Sequence, residues 1–355
     1  MLIVRSPLRI SLAGGGTDLP EYYRQFGGAV INTAIDRYVY VFLKTNAYDG
    51  LDFASSDFQS FFRHWGDLPL TWNGEFDMPK MIFNHFGVLR GVRLFIASEI
   101  PPGTGLGSSS SLAVGLIKAL SIACNRQMNP RDLAELASHI EIEAMSAPIG
   151  KQDQYAAALG GLNLIEFSHQ KTVISPLGID RETSFHLQRC LLLFYTGQSR
   201  SANGILQEQR RASRETCNPT LDALHRVKAM VPEVKRCLEA GDIKQFGHLL
   251  HENWTAKKDF APGITNAAID DHYQCALQAG AYGGKITGAG GGGFLLICCD
   301  ESARVKVTEA LEARGLVRVG FHFDEIGAHA LLNCGLLLTS HHRWREPESL
   351  FVSVP

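Results

Sequence analysis

Apolar residues recur at two different intervals along this chain. Near its start Leu8, Ile10 and Leu12 alternate with Arg9 and Ser11, the period-two pattern of a strand. Tyr38–Lys44 and the mostly apolar run Arg93–Glu99 predict two more strands. Leu112–Leu120 predicts a helix. Leu133, Leu136, Ala137, Ile140 and Ala144 follow helical spacing and predict another, from Pro130 to about Met145. Pro79–Phe86 predicts a short helix with proline in its first turn. Pro148–Tyr155 is a break and a new helix start, and Gly160–Phe167 a turn and a strand. The aromatic-rich stretch 46–73 predicts short strands in an irregular excursion. Beyond it helices are expected at about 202–214, 218–240, 242–258 and 265–279, with a strand at Cys190–Tyr195 before them. A glycine-rich loop over Gly283–Gly293 enters a strand at Phe294, followed by a helix Glu301–Arg314 and a strand Val317–Phe323. The expectation is an α+β protein: a strand-rich domain over about 1–168, a helix-rich α/β domain over about 169–338, and a frayed tail 339–355.

The composition narrows the function classes. A chain of 355 residues with 45% hydrophobic and 20% charged residues has ample core material for about two domains. Its net charge of −2 gives no reason to expect a nucleic-acid or membrane-surface partner. No apolar run is long enough to span a bilayer, and Met1–Arg5 enters structure without a signal-peptide pattern. Eight cysteines, none in a Cys-x-x-Cys pair, predict reduced core thiols and a cytoplasmic protein.

The chemistry concentrates in the glycine loops. Ile100–Ser111 joins a strand to a helix through Pro102, Gly103, Gly105, Leu106, Gly107 and the run Ser108, Ser109, Ser110. That order builds an anion site, because glycines let backbone N–H groups approach a phosphate and a helix N-terminus presents unpaired donors. Serine hydroxyls there cap the helix or hold a metal. A second loop, Gly14-Gly15-Gly16-Thr17-Asp18, ends on an aspartate that is either a turn residue or a ligand. Asp153 is either a helix-start carboxylate or a reactive one. The loop ending at Gly293 leads into a strand, so it is neither a dinucleotide fingerprint nor a P-loop. Arg200, Lys257 and Lys258 are candidate anion ligands or solvated charges.

Three such loops in this order resemble the GHMP kinases, the family of galactokinase, homoserine kinase, mevalonate kinase and phosphomevalonate kinase. Pro7–Asp18, Pro101–Ser109 and Lys285–Phe294 match its three motifs, and the resemblance covers about residues 1–335. Ala13–Asp18, Gly150–Tyr155, Arg200-Ser201-Ala202 and Trp254–Lys258 are most similar to kinases of D-glycero-D-manno-heptose 7-phosphate, which act on the anomeric C1 hydroxyl on the route to GDP-heptose. Fucokinase-type enzymes share much of the pattern. The resemblance implies a two-domain fold with ATP and a sugar or sugar phosphate in the cleft, Mg²⁺, and a monomer or homodimer. It implies that Gly103–Ser110 wraps the ATP phosphates and that Ser109 and Glu141 hold the metal, with Glu143 the alternative to Glu141. Asp153 is the implied base and Arg9 its cationic partner. Gly15, Gly16, Thr17, Asp18, Asp153, Arg200, Lys257, Gly290 and Gly291 are the implied sugar site. A phosphate on the sugar would need basic residues drawn from Arg24, Arg37, Arg200, Lys257, Lys258 and Lys285. A sugar or nucleotide sensor on the same fold would have lost such catalytic residues; here they are present.

Overall fold

The computed structural model describes residues 1–46, 48–57, 59–65, 68–197, 203–213 and 219–339. Arg200 and the tail from residue 340 therefore lie outside the described residues, as does Cys217.

The first half supplies seven strands of an eight-stranded sheet. Its spine is β1 (Leu2–Ala13) antiparallel to β2 (Gly28–Thr45), with α1 (Pro20–Phe26) between them. The hairpin β3 (Gly50–Ser55) and β4 (Ser60–Trp65) extends it through β5 (Val92–Ser98), after α2 (Asp77–Phe86). Helices α3 (Ser108–Ala123), α4 (Pro130–Ser138) and α5 (Gln152–Leu159) follow. Then β6 (Leu162–Phe167) pairs onto the other end of β2, and β7 (Thr172–Pro176) onto β6. The first sheet thus runs on past residue 168.

The second half contains α6 (Arg181–Cys190), β8 (Leu191–Tyr195), α7 (Asn203–Ser213), α8 (Pro219–Ala229), α9 (Val231–Ala240), α10 (Ile243–Lys257) and α11 (Ala267–Gln278). It continues with β9 (Ala281–Ile286), β10 (Phe294–Cys299), α12 (Arg304–Glu312), β11 (Val317–Val319) and β12 (His329–Asn333). Four strands make an antiparallel sheet in the order β11-β8-β10-β9. The last strand, β12, returns to the edge of the first sheet and pairs with β1.

Several elements differ from the sequence expectation, each for a physical reason. The helix expected over 218–240 breaks at Met230, because Pro232 can only sit in the first turn of a new helix. The helix expected to Met145 ends its regular part at Ser138 and continues as a π-helical segment, His139–Ala144. Such wider turns favour functional positions, and this one carries Glu141. Gly283 and Gly284, read as loop, lie inside β9. A Cβ on Gly283 would sit 2.2 Å from the Gly247 carbonyl oxygen of α10, so glycine here lets the helix press onto the strand. The last strand expected, to Phe323, stops at Val319, and Phe323 makes an isolated bridge to Ile35. Among the described residues the cysteines are unpaired, with Cys190, Cys237, Cys298 and Cys299 buried; Cys334 is exposed and so is not a core thiol.

Candidate active site

Strand β1 carries Arg9 between buried Leu8 and Ile10, and its side chain is itself buried. The Arg9 backbone N–H donates to the Leu106 carbonyl at 3.0 Å, which stitches β1 to the Pro101–Ser108 loop. Arg9 Nε and Nη2 each donate to one oxygen of Asp153 at 2.7 Å, a planar fork on a carboxylate. The remaining arm, Nη1, donates to the Gly105 carbonyl at 2.7 Å. Asp153 occupies the first turn of α5, as expected, and its partner lies 144 residues away.

The loop needs its glycines. Gly105 and Gly107 have φ of 85° and 81°, in the left-handed region. A Cβ on Gly107 would stand 3.1 Å from Asp153 Oδ2, and one on Gly105 would stand 2.6 Å from the Thr287 carbonyl oxygen. The loop thus lies between the carboxylate and the third glycine turn. Helix α3 then begins at Ser108 with no side-chain cap, leaving its first-turn N–H groups without a side-chain acceptor.

Beside that helix start, Ser109 Oγ donates to Glu141 Oε1 at 2.8 Å, and Gln154 Nε2 donates to Glu141 Oε2 at 2.7 Å. Glu141 is buried. Desolvation raises its pKa above the usual carboxylate value, nearby Asp153 adds to the rise, and bonds from Ser109, Ser110 and Gln154 oppose it. No cation faces it in an ion pair among the described residues. A buried carboxylate beside a hydroxyl, both hard oxygen donors at the mouth of an anion site, fits a Mg²⁺ ion. Glu143, the alternative, is half exposed and paired with Arg24 at 2.7 Å.

Asp18 lies on the other side of the cavity, buried. Its Oδ1 accepts from the Gly16 N–H at 2.9 Å and from Gln152 Nε2 at 3.1 Å, and its Oδ2 accepts from the Gln152 N–H at 3.3 Å. Burial, and then Asp153, raises its pKa. Lys257 at the end of α10 and Lys285 in β9 are both buried in the same cavity wall. Lys257 Nζ donates to the Ile286 carbonyl at 3.1 Å and to that of Gly288.

These residues line a cavity of about 160 Å³, together with Gly15, Gly16, Gly150, Gln152, Gln209 and Phe260. A second cavity of about 540 Å³ opens on the far side of the loop, against Pro102, Gly103, Ser108 and Ser109, with Val39, Phe76, Met78, Pro79, Ile96 and Leu112 as its apolar walls. Three expected sugar contacts are placed elsewhere. The Thr17 hydroxyl is turned inward, onto the Gly14 and Ala29 carbonyls. Gly291 donates its N–H to the Ile264 carbonyl, and a Cβ on Gly290 would stand 2.9 Å from that oxygen; both lie behind Gly288 and Ala289, which do face the cavity. Of the candidate phosphate cations, Arg24 pairs with Glu143, Arg37 with Glu99 and Lys258 with Asp270, all away from the cavity; Lys257 and Lys285 converge. Gln209 on α7 carried no signal in the sequence, and Gln152 was visible only within the motif around Asp153.

A glycine-loop anion site, a forked arginine–aspartate pair and a buried serine–glutamate pair, set between a mixed-sheet domain and a helix-rich one, define a small-molecule kinase. Matches to the GHMP kinases N terminal domain at residues 77–161 and to the GHMP kinases C terminal domain at 230–316 agree with this. So does a D-glycero-alpha-D-manno-heptose 7-phosphate kinase of Campylobacter jejuni, 32% identical over 91% of this chain and 96% of that one. The chain belongs to the GHMP kinase family and is an ATP-dependent phosphotransferase with an alcohol group as acceptor. Among solved structures, a D-glycero-D-manno-heptose 1-phosphate kinase from Bacteroides thetaiotaomicron superimposes with a TM-score of 0.78 at 26% identity, over 94% of this chain and 99% of that one. A sugar kinase structure from Campylobacter jejuni, termed putative, gives 0.76 at 30% identity, over 93% and 97%. No helix among the described residues is long and apolar enough to cross a membrane.

Proposed function

We propose that this kinase transfers the γ-phosphoryl group of ATP to the anomeric C1 hydroxyl of a heptose 7-phosphate, in the cytoplasm, to supply a precursor of GDP-heptose. The observation that carries the sugar-kinase part is the Arg9–Asp153 fork, standing against Gly107 of the phosphate loop on one side and opposite Asp18 on the other. The 32% identity to a heptose 7-phosphate kinase supports the choice of acceptor.

In this reading the nucleoside fills the larger, apolar-walled cavity, and Gly103–Ser110 wraps the phosphates with backbone N–H groups. Ser109 and Glu141 hold Mg²⁺, with Gln154 fixing the carboxylate from behind. The metal, when bound, neutralises phosphate charge during transfer. Asp153 accepts the proton of the sugar hydroxyl as its oxygen bonds to the γ-phosphorus and ADP leaves. Arg9 keeps that carboxylate correctly turned through its two bonds. An anomeric hydroxyl is more acidic than an ordinary alcohol, so a carboxylate suffices as base. Asp18 accepts from sugar hydroxyls, steered by Gln152, while Gly15 and Gly16 let the sugar approach the backbone; Lys257 and Arg200 belong to the acceptor side. Buried bonds of this kind discriminate configuration, since leaving one unmade costs about 1–3 kcal/mol.

The test is an acceptor panel with ATP and Mg²⁺: heptose 7-phosphate, the unphosphorylated heptose, L-fucose and D-galactose, with the site of phosphorylation read by phosphorus NMR. A sugar carrying phosphates at both C1 and C7 is expected. Faster turnover of any unphosphorylated sugar refutes the assignment of acceptor.

A further inference from the structure

Lys257 and Lys285 are left over from the mechanism above in one respect. Asp153 is already matched by Arg9, and Asp18 takes its hydrogen bonds from a backbone N–H and from both the amide and the backbone of Gln152. Neither lysine is in an ion pair among the described residues. Among the described residues Lys257 has two carbonyl acceptors for its three N–H donors, and Lys285 has none. Lys257 is 7% and Lys285 2% exposed, and both face the same cavity as Arg9. Two amino groups buried side by side, faced by the Asp18 carboxylate but in an ion pair with neither it nor any other described carboxylate, are costly to keep charged in any fold. A site that a doubly charged anion enters and leaves accounts for the pair. Lys257 also anchors the Gly288 carbonyl, and Gly288 packs directly on Gly105: a Cβ there would meet the Gly105 Cα at 2.4 Å. Lys257 is therefore mechanically joined to the phosphate loop.

We propose that Lys257 and Lys285, with Arg9 beside them, form a subsite for a phosphoryl dianion on the wall of the smaller cavity. Two groups could bring that chemistry: the phosphoryl in transit from the nucleotide, or the phosphate of a sugar phosphate acceptor. The second rests on the acceptor assigned above; the first does not.

Loading the subsite draws in a proton. The charged groups that face the pair are Arg9 from β1, Asp18 from the loop after it and Asp153 from α5, besides each lysine on α10 and β9. Burial, and then Arg9, pulls Lys257 down to about 7, with Asp18 opposing. Burial, then Lys257 and Arg9, holds Lys285 well below the ordinary lysine value. At neutral pH the empty pair thus carries less than its full charge, and a bound dianion restores it. Affinity for the dianion then falls as pH rises through the neutral range.

Binding calorimetry without turnover tests this. Wild type, Lys285→Met and Lys285→Arg are each titrated with the Mg²⁺ complex of a β,γ-imido ATP analogue, with ADP, with heptose 7-phosphate and with the unphosphorylated heptose. Each titration is run in two buffers of different ionisation enthalpy. Wild type should take up protons with whichever ligand carries the dianion. Lys285→Met should take up fewer protons, Lys257 still supplying its share, and bind the same ligand about 10- to 100-fold more weakly, the loss of a charge-assisted contact. Lys285→Arg should keep most of the affinity with a smaller uptake. A defect confined to the ATP analogue and absent for ADP assigns the subsite to the transferred group. A defect confined to the sugar phosphate assigns it to the acceptor. Wild-type affinity of Lys285→Met for every ligand, or wild-type binding with no buffer-dependent heat, overturns the proposal. Should Lys285→Met fail to fold, the wild-type buffer dependence and Lys285→Arg decide. Failure of the enzyme to phosphorylate a heptose 7-phosphate would refute the acceptor assignment and leave the nucleotide arm standing.

Discussion

Replacing Asp153 with asparagine changes one atom's charge and donor character and keeps the shape. The Asp153 oxygens each accept a 2.7 Å bond from Arg9, whose side chain is 5% exposed against 22% for Asp153. Asparagine keeps one acceptor and turns an NH₂ toward a guanidinium N–H. One charge-assisted bond is lost, about 1.5–3 kcal/mol of folding stability, and Arg9 is left among two buried lysines without its carboxylate. A fall of a few degrees in melting temperature follows. Catalysis should fall further. Removal of a general base lowers turnover about 10²- to 10⁴-fold, or about 2.7–5.5 kcal/mol of transition-state stabilisation. Nucleotide affinity should stay close to wild type, because Arg9 keeps its bond to Gly105 and the loop keeps its shape. A coupled assay of ADP formation gives kcat, calorimetry gives the nucleotide Kd, and a thermal melt separates folding from chemistry. Turnover within tenfold of wild type, or a nucleotide affinity that falls in step with kcat, refutes the role given to this carboxylate.

Three other substitutions probe the remaining parts of the site. Glu141→Gln should raise the Mg²⁺ concentration for half-maximal rate by about tenfold or more without lowering the melting temperature of the metal-free protein, since a buried amide is less costly than a buried carboxylate. Glu143→Gln, on the surface with Arg24, should leave that titration unchanged, and equal responses of the two variants would sink the metal assignment. Asp18→Asn should raise the KM for the sugar about 10- to 100-fold and leave the KM for ATP alone; the reverse pattern would move Asp18 to the nucleotide side. Gly288→Ala requires an alanine at φ 64° with its Cβ 2.4 Å from Gly105 Cα. It should lower the melting temperature and weaken ATP binding by separating the two loops, a left-handed alanine alone costing about 1–2 kcal/mol. Gly91→Ala, also left-handed at φ 72° but meeting nothing within 4 Å, is the matched control, and a Gly288→Ala no more damaging than it would show that the loops do not interlock.

Local pattern carried much of this protein. The alternation around Arg9 places β1, the strand–loop–helix order around Gly105 places β5 and α3, and the first-turn position of Asp153 follows from the break before α5. These are properties of short segments, and periodicity and glycine placement encode them directly. Elements that draw their stability from burial on both faces were invisible. The first half of β2, covered by β6, reads as an undistinguished small-residue run, and Gly283-Gly284 reads as loop until α10 is laid on it. The family motifs named the ATP loop, Asp153 and the choice between Glu141 and Glu143, but not where each charge would end. Six cations stood as equal candidates for an anion in the sequence. Carboxylates up to 119 residues away occupy Arg24, Arg37 and Lys258, while Lys257 and Lys285 are carried by α10 and β9 into one cavity with Arg9. A charge's partner depends on distances between segments far apart in the chain, and only the assembled sheets and helices fix those distances.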